Sequence, residues 1–268
     1  MTEPWGGTPT GRTIAGPPQS PWFPFGTGDG AAIRLLCLPH GGAGANFYRS
    51  WVGGLPASIA GCPVQPPGRE RRRSERPYSS AHELVRPLAQ EIIRWVRPPY
   101  AVFGLSTGAL CAFEVAREVR RLGGPLPVHL FVAGRRAPTI PTDRIDLSGL
   151  SAAGLAGVLR TLGGTPEEVL SDLPLLEMLR PLIVADFAVD DDYRYEPEPA
   201  LPVPITAFAG THDHLATPDQ VAGWGKETTA GYTQLRLDGG HFAIFDHSEL
   251  VLRRIAGDLE HHVTAPMI

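Results

Sequence analysis

The chain has 268 residues, of which 43% are apolar and 19% charged, a composition typical of a folded domain with a sizeable core. No apolar run approaches the roughly 18 residues that cross a bilayer. A net charge of -4 offers no basic surface for a phosphate backbone. We therefore expect a soluble protein that binds neither membranes nor nucleic acid.

The cysteines predict a reducing compartment. Cys37, Cys62 and Cys111 are odd in number, lack a C-x-x-C spacing and lie in apolar surroundings, where a free thiol packs as a small apolar group. Residues 1–30 also lack the basic start and the apolar stretch of an export signal. These features predict a cytoplasmic protein.

In chain order, residues 1–30 are rich in proline and glycine and predict a flexible arm, although Trp22, Phe23 and Phe25 could dock on the body. Residues 31–268 then alternate short apolar runs with amphipathic segments, as in a mostly parallel sheet flanked by helices. The predicted fold class is therefore α/β, in a single domain. The apolar runs predict strands at residues 33–38, 63–66, 101–104, 128–133, 203–209 and 232–237.

Helices are predicted between these strands. One begins after Ser80, whose spacing to Glu83 is that of a capping box, and others follow Ser106 and His247. Residues from about 140 to 200 break the alternation, because they contain three helical segments where another strand would be expected. This insertion predicts a helical lid over the sheet.

Ser106 is the candidate nucleophile. It is the central residue of Gly104-Leu-Ser-Thr-Gly108, between a predicted strand and a predicted helix. In such a turn the serine takes a strained conformation that exposes its hydroxyl, and the glycines avoid steric clashes.

A serine nucleophile needs a base and a group that orients the base. Asp213 follows the fifth predicted strand and His241 follows the sixth. Carboxyl ends of strands are where open parallel sheets place their ligands, and the chain order Ser, Asp, His is that of α/β-hydrolases. Asp219 and Asp238 suit a helix start and a Gly-Gly turn better. We predict a catalytic triad of Ser106, Asp213 and His241.

A glycine-rich turn, His40-Gly-Gly-Ala-Gly44, follows the first predicted strand. Backbone N–H groups of Gly41, Gly42 and Thr107 are candidate donors to the oxyanion of a tetrahedral intermediate. The segment His212-Asp213-His214 could suggest a metal site, but alternating loop residues seldom converge without further ligands. We expect no metal.

From about Arg34 to Leu259 the sequence resembles the discrete type II thioesterases that accompany polyketide synthases and nonribosomal peptide synthetases. Several of the motifs that carry the resemblance are specific to that family. They are the elbow at Ser106, Leu38-Pro-His40-Gly-Gly-Ala-Gly44, Gln65-Pro-Pro-Gly68-Arg-Glu70, Leu162-Gly-Gly-Thr-Pro166-Glu-Glu-Val169, Ala185-Asp-Phe187, Tyr193-Arg-Tyr195, Gly210-Thr-His-Asp213 and Asp238-Gly-Gly-His241-Phe242.

The resemblance implies hydrolysis of acyl groups from the phosphopantetheine arm of acyl or peptidyl carrier proteins, which removes stalled or aberrant chains. It also implies action on small acyl thioesters, a mobile lid, and no cofactor other than the pantetheine of the carrier. We expect a monomer. Leu105 and Thr107 stand where the family usually has histidine and methionine. Because residue 107 should face the acyl pocket, this departure bears on acyl preference.

Two other functions remain open at this stage. The same triad could transfer the acyl group to an amine, an alcohol or a second carrier, if the lid excludes water. Alternatively, the chain could be a non-catalytic pseudo-hydrolase that only binds carrier proteins.

A run of arginines follows the Pro-Pro-Gly turn. Such a run is typical of a solvated loop. A sharper hypothesis is that it contacts the pantetheine phosphate or an acidic carrier-protein surface. The residues concerned are Arg69, Arg71, Arg72, Arg73 and Arg76.

Overall fold

The computed structural model describes residues 20–141, 145, 147 and 149–263. Within these residues the strands form one parallel sheet in the order β2-β1-β3-β4-β5-β6. The strands are β1 (Ile33–Leu38), β2 (Ile59–Pro63), β3 (Tyr100–Leu105), β4 (Leu130–Ala133), β5 (Ile205–Gly210) and β6 (Tyr232–Leu237).

The predicted strand at residues 63–66 is misplaced. The structure has β2 at Ile59–Pro63, with Ile59 beside Ile33 of β1. This segment contains Ala60 and Gly61 and so lacks a continuous apolar run. Its pairing with β1, a contact distant in sequence, determines the strand.

The helices are α1 (Ala81–Trp95), α2 (Thr107–Arg121), α3 (Ala152–Leu162), α4 (Glu167–Ser171), α5 (Leu173–Asp191), α6 (Pro218–Ala222), α7 (Ala243–Asp246) and α8 (Ser248–Val263). Alternate residues of β1 point to opposite faces of the sheet. Leu36 packs in one apolar cluster with residues of α1 and α2, whereas Leu35 packs in another with residues of α8. The sheet is therefore covered on both faces, as the alternation of apolar runs and helical segments predicts.

The segment between β4 and β5 contains the helices α3, α4 and α5. They have an apolar cluster of their own, which includes Leu155, Leu159 and Leu176. Helix α5 also packs against α2, the helix that follows the predicted nucleophile. These three helices are called the lid helices below.

The start of the described chain packs on the sheet domain. Trp22 and Phe23 are buried, and the Trp22 ring lies 4.5 Å from the guanidinium carbon of Arg72 and stacks on Tyr78. Residues 20–30, which the composition assigns to the flexible arm, are thus held by aromatic contacts. Residues 1–19 of the predicted arm lie outside the described residues.

In the part of the chain that the structure describes, no helix combines the length and the apolar character needed to cross a membrane.

Candidate active site

Ser106 lies in a sharp turn between β3 and α2. Its backbone angles are φ 55° and ψ -122°, a conformation that is strained for a residue with a side chain. A Cβ on Gly104 would lie 2.2 Å from the carbonyl oxygen of Gly108, and one on Gly108 would lie 2.4 Å from that of Leu38. Both glycines are therefore required for the turn to close, as the motif predicts.

The backbone holds this turn in place. The Ser106 N–H donates to the carbonyl of Ala133 on β4, at 2.9 Å, and the Ser106 carbonyl accepts from Ala109 at 2.9 Å. Thr107 is the first residue of α2, where backbone N–H groups have no partner within the helix. The helix N-terminus also favours negative charge beside Ser106.

Asp213 and His241 come together from loops that follow β5 and β6. Nδ1 of His241 lies 2.8 Å from Oδ2 of Asp213. The loops can approach because Gly210 has no side chain: a Cβ there would lie 2.2 Å from the carbonyl oxygen of Gly240. Asp213 and His241, which follow the neighbouring strands β5 and β6, are therefore in direct side-chain contact.

The carboxylate of Asp213 is fixed by its other oxygen. Oδ1 accepts from the N–H groups of Leu215 and Ala216, at 2.8 and 3.2 Å. The side chain is only 1% exposed. By contrast, Asp219 lies in the first turn of α6 and Asp238 is exposed. Among these three aspartates, Asp213 is the one in contact with His241.

Ser106 and His241 line one cavity of about 130 Å³ beneath the lid helices. Gly41 and Thr107 line the same cavity. A Cβ on Gly134, which has φ +55°, would lie 3.2 Å from Cε1 of His241. The absence of a side chain at Gly134 therefore leaves room for the imidazole at the cavity wall.

The two candidate donors in the glycine-rich turn differ in their surroundings. Gly41 faces the cavity, close to the Thr107 side chain, since a Cβ on Gly41 would lie 3.5 Å from Oγ1 of Thr107. The Gly42 N–H instead donates to Oδ2 of Asp186, at 2.5 Å, from a backbone with φ +83°. The Gly42 N–H is thus engaged by a lid helix and orders the turn.

Asp186 of α5 joins the lid to this turn. Arg69 donates to both of its carboxylate oxygens, at 2.6 and 2.7 Å, and both side chains are 6% exposed. Arg69 also donates to the carbonyl of Ala43, at 3.0 Å. One buried ion pair therefore connects α5, the loop after β2 and the glycine-rich turn.

Neighbours of Arg69 support the same turn. The Gln65 side chain accepts from the Ala45 N–H at 3.0 Å, and the Glu70 carboxylate accepts from both the backbone and the side-chain amide of Asn46, at 3.1 and 2.8 Å. The motif Gln65-Pro-Pro-Gly-Arg-Glu70 is therefore a scaffold for the turn.

This finding corrects the hypothesis that the arginine run as a whole binds a phosphate or a carrier surface. Arg69 is paired with Asp186, and Arg72 is buried and donates to Glu75 and to the carbonyl of Gln65. Both guanidinium groups are thus paired with carboxylates of this chain. The run of arginines in the sequence does not by itself show this pairing. The exposed members of the run are Arg71, Arg73 and Arg76.

His40 is held neutral beside the cavity. Burial lowers its pKa to about 4. Its Nδ1 lies 2.8 Å from the Gly41 carbonyl, and its ring packs edge-on against Phe47 and Phe242. His40 thus orders the glycine-rich turn through a hydrogen bond and aromatic contacts.

Sequence reasoning assigns no role to Asp190 and includes Asp186 only in the motif Ala185-Asp-Phe187, so it misses the contacts of both aspartates. Oγ1 of Thr107 donates to Oδ2 of Asp190 at 2.6 Å, and Nη1 of Arg135 lies 2.8 Å from Oδ1 of the same carboxylate. A useful signal is the spacing of four residues between the two aspartates, which places them on one face of a helix. Another is Arg135, the second residue after β4.

The segment His212–His214 contributes Asp213 to the contact with His241, while His212 is exposed, with Nδ1 3.6 Å from Asp238. Within the described residues, no group of three or more histidine, cysteine, aspartate or glutamate side chains is arranged to hold a metal ion.

Comparison with known proteins identifies the family. A family model described as a thioesterase domain matches residues 33–259. The gramicidin S biosynthesis protein GrsT of Aneurinibacillus migulanus is 37% identical over 226 residues, which cover 84% of this chain and 88% of that protein.

Solved structures give the same result. RedJ, a thioesterase of the prodiginine biosynthetic pathway in Streptomyces coelicolor, superposes with a TM-score of 0.80 at 35% identity, covering 95% of this chain and 92% of the other. The type II thioesterase BorB from the borrelidin biosynthetic cluster superposes with a TM-score of 0.78 at 37% identity, covering 86% and 94%. The predicted α/β-hydrolase fold with a helical lid insertion is confirmed. The chain belongs to the thioesterase domain family, among the type II thioesterases of polyketide and nonribosomal peptide pathways, which are serine hydrolases acting on thioesters.

Proposed function

We propose that this enzyme hydrolyses acyl groups from the phosphopantetheine arm of acyl or peptidyl carrier proteins and so removes stalled or aberrant chains. The observation that carries the proposal is the 2.8 Å contact of His241 with Asp213, with His241 and Ser106 lining one cavity. The motifs shared with type II thioesterases and the enclosing lid helices support the proposal that the acyl substrate is attached to a carrier protein.

In the proposed acylation step, the Ser106 hydroxyl attacks the thioester carbonyl while His241 takes the hydroxyl proton. Asp213 fixes the imidazole with Nδ1 protonated, so that Nε2 is the basic nitrogen, and stabilises the imidazolium that forms. His241 then returns the proton to the departing pantetheine thiolate. The products are an acyl ester on Ser106 and the free thiol of the carrier.

The oxyanion of the tetrahedral intermediate is proposed to accept hydrogen bonds from the backbone N–H groups of Gly41 and Thr107. Both residues line the cavity that holds Ser106. The N–H of Gly42 already donates to Asp186, and we propose that this bond supports the site by fixing the turn that presents Gly41. Losing one such donor typically raises the barrier by about 3 kcal/mol.

In the deacylation step, water attacks the acyl ester of Ser106 with His241 as the base, and the carboxylic acid is released. This chemistry requires no metal and no cofactor bound by the chain itself. The pantetheine arm arrives with the carrier protein, and small acyl thioesters that mimic the arm are proposed as simpler substrates.

A panel of acyl-loaded carrier proteins, followed by intact mass, tests the proposal. The expected result is loss of the acyl mass with release of the free acid, and no loss with Ser106→Ala. Repeating the reaction with amine and alcohol acceptors distinguishes hydrolysis from acyl transfer, because transfer yields an amide or an ester in place of the acid. If the wild-type enzyme leaves the acyl mass on every carrier, as Ser106→Ala is expected to do, the proposal is overturned.

A further inference from the structure

One wall of the cavity beside Ser106 is polar. Oγ1 of Thr107 donates to Asp190 at 2.6 Å, and Asp190 pairs with Arg135 at 2.8 Å. The three residues come from the start of α2, the end of α5 and the residue pair that follows β4. The remaining wall is largely apolar, formed by Leu159, Leu162, Phe187, Leu215 and Phe242.

Arg135 contributes a donor that the protein itself does not use. Its side chain is 7% exposed, and the buried Nε has no hydrogen-bond partner among the described residues. A buried donor without an acceptor is costly, and Arg135 lines the cavity, so an acyl oxygen that the guanidinium reaches by a small side-chain movement would be stabilising at this wall. Thr107 and Asp190 offer acceptor oxygens next to it.

The charges that line the cavity are balanced. The lining contains two arginines and two aspartates: Arg135 pairs with Asp190, while Arg136, which donates to the carbonyls of Leu215 and Pro141, is matched in number by Asp191. A carboxylate or an ammonium group on the acyl chain would introduce an uncompensated charge into a largely closed space, which is unfavourable. A neutral polar substituent has no such penalty.

The cavity has space for a short acyl chain. Its volume of about 130 Å³ is similar to that of engineered cavities of roughly 150 Å³ that accept benzene. Because Thr107 follows Ser106 directly and lines the same cavity, we infer that the polar wall lies beside the first carbons beyond the thioester carbonyl.

We propose that the wall formed by Thr107, Asp190 and Arg135 selects short acyl chains that carry a hydroxyl near the thioester carbonyl. A hydroxyl both donates and accepts, and it therefore matches a wall that offers an arginine donor beside carboxylate and hydroxyl acceptors. This inference rests on the proposed function, because it assigns the acyl group that the same site would hydrolyse.

The test compares the N-acetylcysteamine thioesters of 3-hydroxybutyrate and 3-methylbutyrate, which differ by a hydroxyl in place of a methyl group of similar size. The wild-type ratio of kcat/KM is expected to favour the hydroxyacyl thioester by about tenfold or more, the size of one productive hydrogen bond. Malonyl and alanyl thioesters, which carry a charge, should be poorer substrates than 3-hydroxybutyryl.

Thr107→Met and Asp190→Asn each alter the polar wall, and the ratio is expected to fall toward one in both. Asp172→Asn is the matched control, since Asp172 caps the other end of α5 and asparagine caps equally well. The control should keep the wild-type ratio. The measured quantity is a ratio of two substrates on one protein, so a change in the amount of folded enzyme does not alter it.

A wild-type ratio near one, or an unchanged ratio in both wall variants, would contradict the inference while leaving the proposed function intact. Failure of the proposed function has a different signature: no thioester of the panel is hydrolysed above the level of Ser106→Ala.

Discussion

Two halves of the site are built in different ways. The half that contains Ser106, Asp213 and His241 is set by turns at strand ends and by glycines that allow close backbone contacts. The other half, the glycine-rich turn, is held by side chains from the loop after β2 and by Asp186 of the lid.

The difference shows which constraints are local. A strand followed by a turn positions its own side chain, so the first half depends mainly on the sheet. The second half depends on a buried ion pair between residues 117 positions apart in sequence. We therefore expect substitutions in the first half to affect chemistry with little loss of stability, and those in the second half to affect both.

The largest effect is expected for Asp213→Asn, in the first half. Asparagine keeps an acceptor for the Leu215 and Ala216 N–H groups but no longer fixes the imidazole tautomer. We expect kcat to fall by about 10⁴-fold with a melting temperature close to that of the wild type. Asp219→Asn, in the first turn of α6, is the control and should retain activity. Full activity of Asp213→Asn would exclude Asp213 as the orienting group.

The next largest effect is expected for Asp186→Asn, in the second half. It leaves the buried Arg69 uncompensated and weakens the bond to the Gly42 N–H. We expect destabilisation by about 3 kcal/mol in urea unfolding, and a fall in kcat of roughly 100-fold at temperatures where the variant is folded.

Asp172→Asn, at the N-cap of the same helix, is the matched control for this experiment and should change neither quantity. If Asp186→Asn loses activity without losing stability, the two halves do not differ in the way described.

A smaller effect is expected for Gly134→Ala, which probes the fit of the imidazole. The new Cβ would lie 3.1 Å from the His241 carbonyl oxygen and 3.2 Å from Cε1, so the ring must shift. We expect a fall in kcat of about tenfold, together with about 1 kcal/mol of lost stability from the positive φ of +55°.

Gly123→Ala separates the two contributions. Gly123 has a similar φ of +69°, but a Cβ there would meet nothing within 4 Å. It should lose comparable stability and keep wild-type kcat. Equal kcat in the two alanine variants would show that Gly134 does not limit the position of His241.

The smallest effect concerns pH and the second half. The pKa of His40 is lowered from 6.5 to about 4 by burial, so between these values the unfolded chain binds a proton that the folded chain does not. This contribution to stability is present above pH 6.5 and is lost as the pH falls toward 4. The loss at pH 5 should be about 2 kcal/mol, measured by urea unfolding.

His40→Gln removes the titrating group and should flatten this part of the pH dependence. His129→Gln is an informative parallel, because burial also lowers the pKa of His129, which lies just before β4, to about 4. Both variants should reduce the slope, and the double variant should reduce it most. An unchanged slope in His40→Gln would mean that this ring is accessible to protons in the folded chain.

The sequence alone places the residues of the first half just after strands, where the structure has them. Ser106, Asp213 and His241 each follow an apolar run, and short-range glycine patterns mark their turns, so local information suffices to place them. Strand β2 is misplaced because its position follows from pairing with β1 and not from its own composition.

The second half could not be predicted in the same way. In the sequence, Asp186 and Asp190 occupy polar positions of a predicted helix, and Arg69 belongs to a run of arginines that is typical of a solvated loop. Only the packing of α5 against α2 and the glycine-rich turn shows that these charges are buried and paired. The spacing of Asp186 and Asp190 places both on one helix face, but a single sequence does not show which distant arginine each of them meets.

Activation of Ser106 by His241 can be measured by labelling with a fluorophosphonate probe and mapping the adduct by peptide mass. We expect one adduct on the peptide that contains Ser106, a much slower reaction in His241→Ala, and none in Ser106→Ala. An adduct on another residue, or equal labelling of His241→Ala and the wild type, would contradict this activation.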